Sequence, residues 1–331
     1  MGPVRNELGV QKHFFKQLIN ELTSQGFTSS RHITIKEQLS IFLYTCVTGL
    51  TCRHVGECFQ QSNTTVSKYV HLFLLFPNTS DVTRYFRMML GAFLSTTIYT
   101  KYVKLPRSDD PVPTRILGDP TVYPYFKDAI GAIDGTHIAC TPSLAERDAT
   151  HNRKGFHSQD CLVACDFNLE FMYVLSGWEG SVADASVYHD THTTDFTIPN
   201  GKYYLVDAGY PICPQLLVSY HGTQYHLPEW DRARMKYVCC WFPTSLKCAN
   251  LHSYRPTNSR EYFNLRHAQL RNVVECIIGV LKRRFRILVI PPEYDMDIQA
   301  KIPSALCCIH NIIRQHDPEE LSDTKQQQPA A

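Results

Sequence analysis

The chain has 331 residues, 44% of them hydrophobic and 19% charged, and a formal net charge of +2. That length and apolar content suit about two domains with real cores and exclude wholesale disorder. The near-neutral balance excludes a globally basic nucleic-acid binder, so any such surface must come from local clusters. The 13 cysteines are scattered without CxxC pairs. With no secretory leader and no run of about eighteen apolar residues, this fits reduced thiols in a nuclear or cytosolic protein without a membrane span.

Residues 1–99 read as a helical region. HFFKQLINEL and ITIKEQLSIFLYTCVTGL carry apolar residues at three- and four-residue spacing. TCRHVGECFQ, then QSN, then TTVSKYVHLFLLF predict a short helix, a tight turn and a second helix opened by Ser62, Asn63 and Thr64. This is a helix-turn-helix pattern. Asn63, Thr65, Ser67 and Lys68 are then candidate DNA contacts at the start of a recognition helix, although an ordinary helical hairpin has the same pattern. Residues 100–125 are proline-rich and read as a linker or irregular bridge between domains.

Residues 126–316 read as an α/β domain. AIGAIDGTHIACT, DCLVACDFN, EFMYVLSGWEG and GKYYLVDAGYP are β-prone runs, and ADASVYHDTHTTD between the last two can start a helix. Residues 211–257 are irregular. A long helix is predicted from Ser259 to about Phe285, and IPSALCCIHNIIRQ predicts a last one. Residues 317–331 read as a disordered tail. The whole is a mixed sheet flanked by helices, preceded by the helical region.

Three carboxylates carry the chemistry. Asp134 follows AIGAI and Asp207 follows YYLV, so both are expected at strand ends, at the sheet edge where α/β ligands bind. Glu275 lies in the long helix. An acidic group in apolar surroundings is costly without a partner or a metal. Three gathered from distant segments would suit Mg²⁺ or Mn²⁺ and two-metal phosphodiester chemistry, with Asp134 in the bridging position. Plainer readings compete. Asp-Gly is also a hairpin turn, and Glu275 four residues after Arg271 is also an exposed helix pair.

YPYFKDAIGAIDGTHI, GWEGSVADASVYHD, YYLVDAGYP, FNLRHAQLRNVVECIIGVLKRRFRIL and ALCCIHNIIR occur in an order and spacing that resemble PIF/Harbinger transposases and the nucleases derived from them. The resemblance implies a ribonuclease-H-like fold and a metal-dependent DDE triad at Asp134, Asp207 and Glu275. It also implies a DNA endonuclease activity with DNA strand transfer in a full transposase, and a nuclear location. DNA is the implied partner, with a Myb-like DNA-binding protein and a second copy of the chain as further ones. A domesticated, non-catalytic DNA-binding or scaffold protein is the rival reading. The chain departs from the family pattern at Ile278, where an aromatic usually precedes the helix glycine.

The resemblance also puts Asp184 near the site as an accessory carboxylate, although a helix N-cap needs no such role. Lys282 and Arg283, with Arg284 and Arg286, form a basic cluster after Glu275, and Arg153 and Lys154 lie on a loop. All are candidate phosphate contacts. Cys239, Cys240, Cys248 and His252 lack a regular zinc spacing.

Overall fold

The computed structural model describes residues 7–30, 33–59, 81–144, 146–152, 155–180, 182, 184–223, 256 and 258–316. The second half of the expected helix-turn-helix, with Asn63, Thr65, Ser67 and Lys68, lies outside them. So do Arg153, Lys154, the Cys239–His252 segment and the C-terminal tail.

Helices come first: α1 (Lys12–Ser24), α2 (Ile35–Thr48), α3 (Cys52–Cys58), α4 (Asp81–Phe93), α5 (Thr96–Tyr102) and the short α6 (Thr114–Leu117). Local chemistry sets the limits of α2. The Thr34 hydroxyl accepts from the Glu37 amide at 3.3 Å in a T-x-x-E capping pattern. Gly49, at φ 66°, ends the helix in the left-handed conformation that glycine adopts without strain.

The sheet follows, with β1 (Ala129–Ala139), β2 (Ser158–Cys165) and β3 (Phe171–Glu179), and α7 (Arg147–Thr150) between the first two. Next come α8 (Asp184–Thr194), β4 (Tyr203–Leu205) and β5 (Leu216–Leu217). The chain then forms the long α9 (Ser259–Arg284), the short α10 (Met296–Gln299) and α11 (Ile302–His316). The strand order is β3-β2-β1-β4-β5. β1, β2 and β3 are antiparallel neighbours, whereas β4 runs parallel to β1 and β5 parallel to β4. The expected mixed α/β sheet is thus observed. The long helix starts at the expected Ser259, because Asn258 caps it by accepting from the Glu261 amide at 2.9 Å, and it ends at Arg284, within one residue of the expected limit.

Alternation along the strands divides the core in two. Ala132, Ile138, Cys161, Val163, Cys165 and Leu205 face α9 and α11, and Leu270, Val274, Ile277 and Leu306 join them in one apolar cluster. Ile133, Leu162, Ala164, Tyr204 and Val206 face the other way, onto Val187 and Tyr188 of α8. The first cluster also takes in Phe14, Leu18, Phe42, Phe86 and Phe93, so the early helices share a core with the sheet. Tyr102, Val103, Ile116 and Val122 are buried in it too, which anchors the proline-rich stretch rather than leaving it a loose tether.

Two positions needed particular residues. At Gly131, where the β1–β4 register shifts, an added Cβ would lie 1.9 Å from the Cys165 carbonyl oxygen. Only glycine permits that backbone approach. Asn311 of α11 is fully buried, and its amide donates to the Tyr102 and Phe171 carbonyls at 2.9 and 2.7 Å and accepts from the Phe171 amide at 2.8 Å.

Two buried histidines weaken the fold in acid, against buried Asp166, whose carboxyl is pushed up to about 6 by burial. Burial first, then the charge of Arg271, lowers His267 to about 4, against its bond to the Leu217 carbonyl at 2.8 Å. Burial first, then the charge of Arg284, lowers His310 to about 3. Both stay neutral in the fold but protonate near pH 6.5 when unfolded, so their stabilisation is complete above that pH. It is lost as pH falls from about 6.5 through 4 and 3, at up to about 1.4 kcal/mol per pH unit for each histidine. Urea unfolding at pH 7, 6, 5 and 4 should show this decline, and His267→Gln should make it shallower.

Candidate active site

β1 does not end at Asp134. It runs on to Ala139, because β2 pairs with it beyond that point, with Asp134 opposite Val163 and Ala139 opposite Ser158. That pairing removes the hairpin-turn reading of Asp134-Gly135. What ends there is the parallel neighbour. Ala132 pairs with Leu205, the last residue of β4, and Asp134 and Asp207 each lie two residues beyond that pair. Asp134 therefore projects beside a strand end, although its own strand continues.

The face is set by the same alternation. Asp134 shares parity with Ala132 and Ile138, on the side covered by α9, whereas Asp207 lies two residues past the last residue of β4. Glu275 is carried by α9, which packs along β1. β1 and α9 so bring Asp134 and Glu275 to one shared cation, and Asp207 follows the end of the strand beside β1.

The joint between helix and strand is polar. Arg271 donates from Nη2 to Glu275 Oε1 at 2.6 Å and from Nη1 to Asp134 Oδ2 at 3.4 Å. The i,i+4 pair is not the exposed one that spacing suggests: Arg271 is only 17% exposed, Asp134 20% and Glu275 33%. Lys282, two turns along α9, donates to Thr136 Oγ1 at 2.7 Å and to the His137 carbonyl at 2.8 Å. It clamps α9 to β1 just past Asp134. Asp134 Oδ1 accepts from the Gly135 amide at 3.1 Å, and Asp207 Oδ1 from the Gly209 amide at 2.8 Å. An added Cβ on Gly209 would lie 3.1 Å from Asp207 Oδ1, so a small residue keeps that turn open.

The donor chemistry fits a hard divalent ion. Asp134 and Glu275 supply carboxylate oxygens to one shared cation, here a guanidinium. The cage is not preassembled, since among the described residues no three His, Cys, Asp or Glu side chains are gathered closely enough to hold a metal.

A family model described as "DDE superfamily endonuclease" matches residues 133–311, more than half of the chain and a span that includes all three carboxylates. The chain belongs to that family. The chain is also 28% identical over 193 residues to the Rattus norvegicus protein named "Putative nuclease HARBI1", covering 56% of this chain and 46% of that one. The Homo sapiens protein of the same name is 25% identical over 193 residues with the same coverage. "Protein ALP1-like" of Arabidopsis thaliana is 24% identical over 214 residues, 58% of this chain and 45% of that protein. The chain thus spans about half the length of the relatives it matches. These relatives bear out the Harbinger resemblance and support a nuclease of transposase origin. Residues 2–76 match a domain of unknown function, and no solved structure matches the chain.

The other sequence candidates of this DDE-superfamily chain fall elsewhere. Asp184 begins α8, which packs on the face of the sheet opposite α9. Arg283 and Arg286 are exposed near the end of α9, whereas Lys282 is engaged by β1. Among the described residues no helix is long and apolar enough to cross a membrane. Spacing could not reveal the second partner of Arg271, because Asp134 is 137 residues away.

Proposed function

We propose that the protein is a metal-dependent DNA endonuclease that hydrolyses phosphodiester bonds, with Asp134, Asp207 and Glu275 holding Mg²⁺ or Mn²⁺. The observation that carries this reading is the bridging of Asp134 and Glu275 by one cation, with Asp207 two residues past the end of the neighbouring strand. The strand order β3-β2-β1-β4-β5 supports a ribonuclease-H-like core. Asp134, Asp207 and Glu275 would hold the divalent metal, which would supply charge stabilisation for an in-line phosphodiester displacement.

The chain's own residues do the rest. β1 fixes Asp134 and the Gly209 amide holds Asp207 in the turn after β4, while Lys282 sets the depth of α9 and hence the reach of Glu275. Exposed Arg283 and Arg286 lie where a phosphate backbone can approach the helix end. DNA is the substrate on this reading, and the nucleus its natural compartment.

The test is incubation of duplex DNA with the protein and Mg²⁺ or Mn²⁺. Cleavage leaving 3′-OH and 5′-phosphate ends is expected, and its loss in Asp134→Ala and Glu275→Ala. Equal cutting by the parent and these variants would overturn the assignment, and no cutting by the parent would favour a scaffold.

A further inference from the structure

We infer that Arg271 is an intramolecular competitor of the divalent ion: it withholds Glu275 from the site until the ion displaces it. The inference rests on the reading of Asp134 and Glu275 as metal-binding carboxylates. It goes beyond that reading by giving a role to a residue outside the triad.

The geometry is asymmetric. Nη2 of Arg271 sits 2.6 Å from Glu275 Oε1, whereas Nη1 is 3.4 Å from Asp134 Oδ2. The guanidinium therefore grips the glutamate and only leans on the aspartate. Charge-assisted bonds at the shorter distance are the strong ones. All three groups are largely shielded from water, so their charges act on one another with little screening.

A guanidinium between two carboxylates and a divalent ion between the same two are alternatives. The guanidinium offsets one of the two negative charges and a divalent ion offsets both, and two cations in one place repel. The ion must take Glu275 from Arg271, while Asp134 and Asp207 are the easier ligands to recruit. Glu275 then joins last. This also accounts for Asp134 and Glu275 meeting at one cation without a ready three-group cage among the described residues. The displaced arginine keeps its planar fork of donors at the edge of the site, which suits a phosphate of the substrate backbone. Arg271 is thus a positioning residue whose partner changes from Glu275 to phosphate as metal enters.

The test is Mn²⁺ titration of the full chain by calorimetry, without DNA. Arg271→Met keeps the apolar stem and removes the charge. It should bind Mn²⁺ about fivefold tighter or more than the parent, within the usual range of coupling between sites. Asp134→Asn should weaken binding in either background. Glu275→Gln should have a small effect in the parent but abolish the gain when added to Arg271→Met. A purely structural arginine predicts the opposite, since its loss would loosen the site and weaken binding.

Thermal unfolding gives a second reading. Arg271→Met should melt below the parent without metal and be raised more by Mn²⁺. If Mn²⁺ binding depends on Asp134 but Arg271→Met binds equally or more weakly, this inference fails and the carboxylate reading stands. If binding ignores Asp134, or neither parent nor Arg271→Met binds, the carboxylate reading fails and takes the inference with it.

Discussion

Asp134→Asn is expected to lower Mg²⁺- or Mn²⁺-dependent DNA cleavage by about 10³-fold, the scale on which groups acting directly on transition-state charge are felt. The substitution is chosen because it preserves shape. An asparagine carbonyl can still accept from the Gly135 amide, as Asp134 Oδ1 does at 3.1 Å, and β1 keeps its pairing with β2. What is lost is one negative charge on the face shared with α9. That removes an anionic ligand for the metal and an ionic partner of Arg271. Initial rates of supercoiled-plasmid nicking, with unfolding curves as a control, decide the matter. A rate within about tenfold of the parent, where outer-shell substitutions fall, would remove Asp134 from the chemistry.

The largest effect on stability is expected at Asn311→Leu. The side chain is isosteric enough to fit, yet it leaves the Phe171 amide and the Phe171 and Tyr102 carbonyls buried without the bonds Asn311 makes to them. A buried polar group left unsatisfied costs about 1–3 kcal/mol, so the sum should reach about 3 kcal/mol or more. In a chain of this size that lowers the melting temperature by about 4 °C. The effect should not be local. Asn311 ties α11 to the start of β3 and to the end of α5, so it joins the early helices to the sheet. Loss of that tie should expose α5 to hydrogen exchange along with β3. A drop below about 1 kcal/mol would mean that water replaces the three bonds.

Much of this arrangement was legible in the residues, and what was not has a common cause. The strand runs and the Ser259–Arg284 helix were readable because alternation, helical spacing and caps are local properties. The end of β1 was misplaced at Asp134 because the strand that prolongs it, β2, arrives only after an intervening loop, and a dipeptide such as Asp-Gly carries no sign of that partner. Arg271 and Lys282 read as parts of an exposed basic helix for the same reason. Their partners on β1 lie 137 and 146 residues away, and burial of a charge is decided by what packs over it. The carboxylates were easier to choose than their setting: apolar runs ending in Asp are visible in sequence, whereas the guanidinium that holds two of them is visible only in the fold.

The central claim is that Asp134, Asp207 and Glu275 together form the divalent-ion site. Anomalous X-ray scattering from crystals soaked in Mn²⁺ tests it most directly. The account predicts a Mn²⁺ peak between the Asp134 and Asp207 carboxylates, with Glu275 turned towards it and away from Arg271. Saturating Mn²⁺ with no peak there, and the Arg271 bridge between Asp134 and Glu275 unchanged, would contradict it.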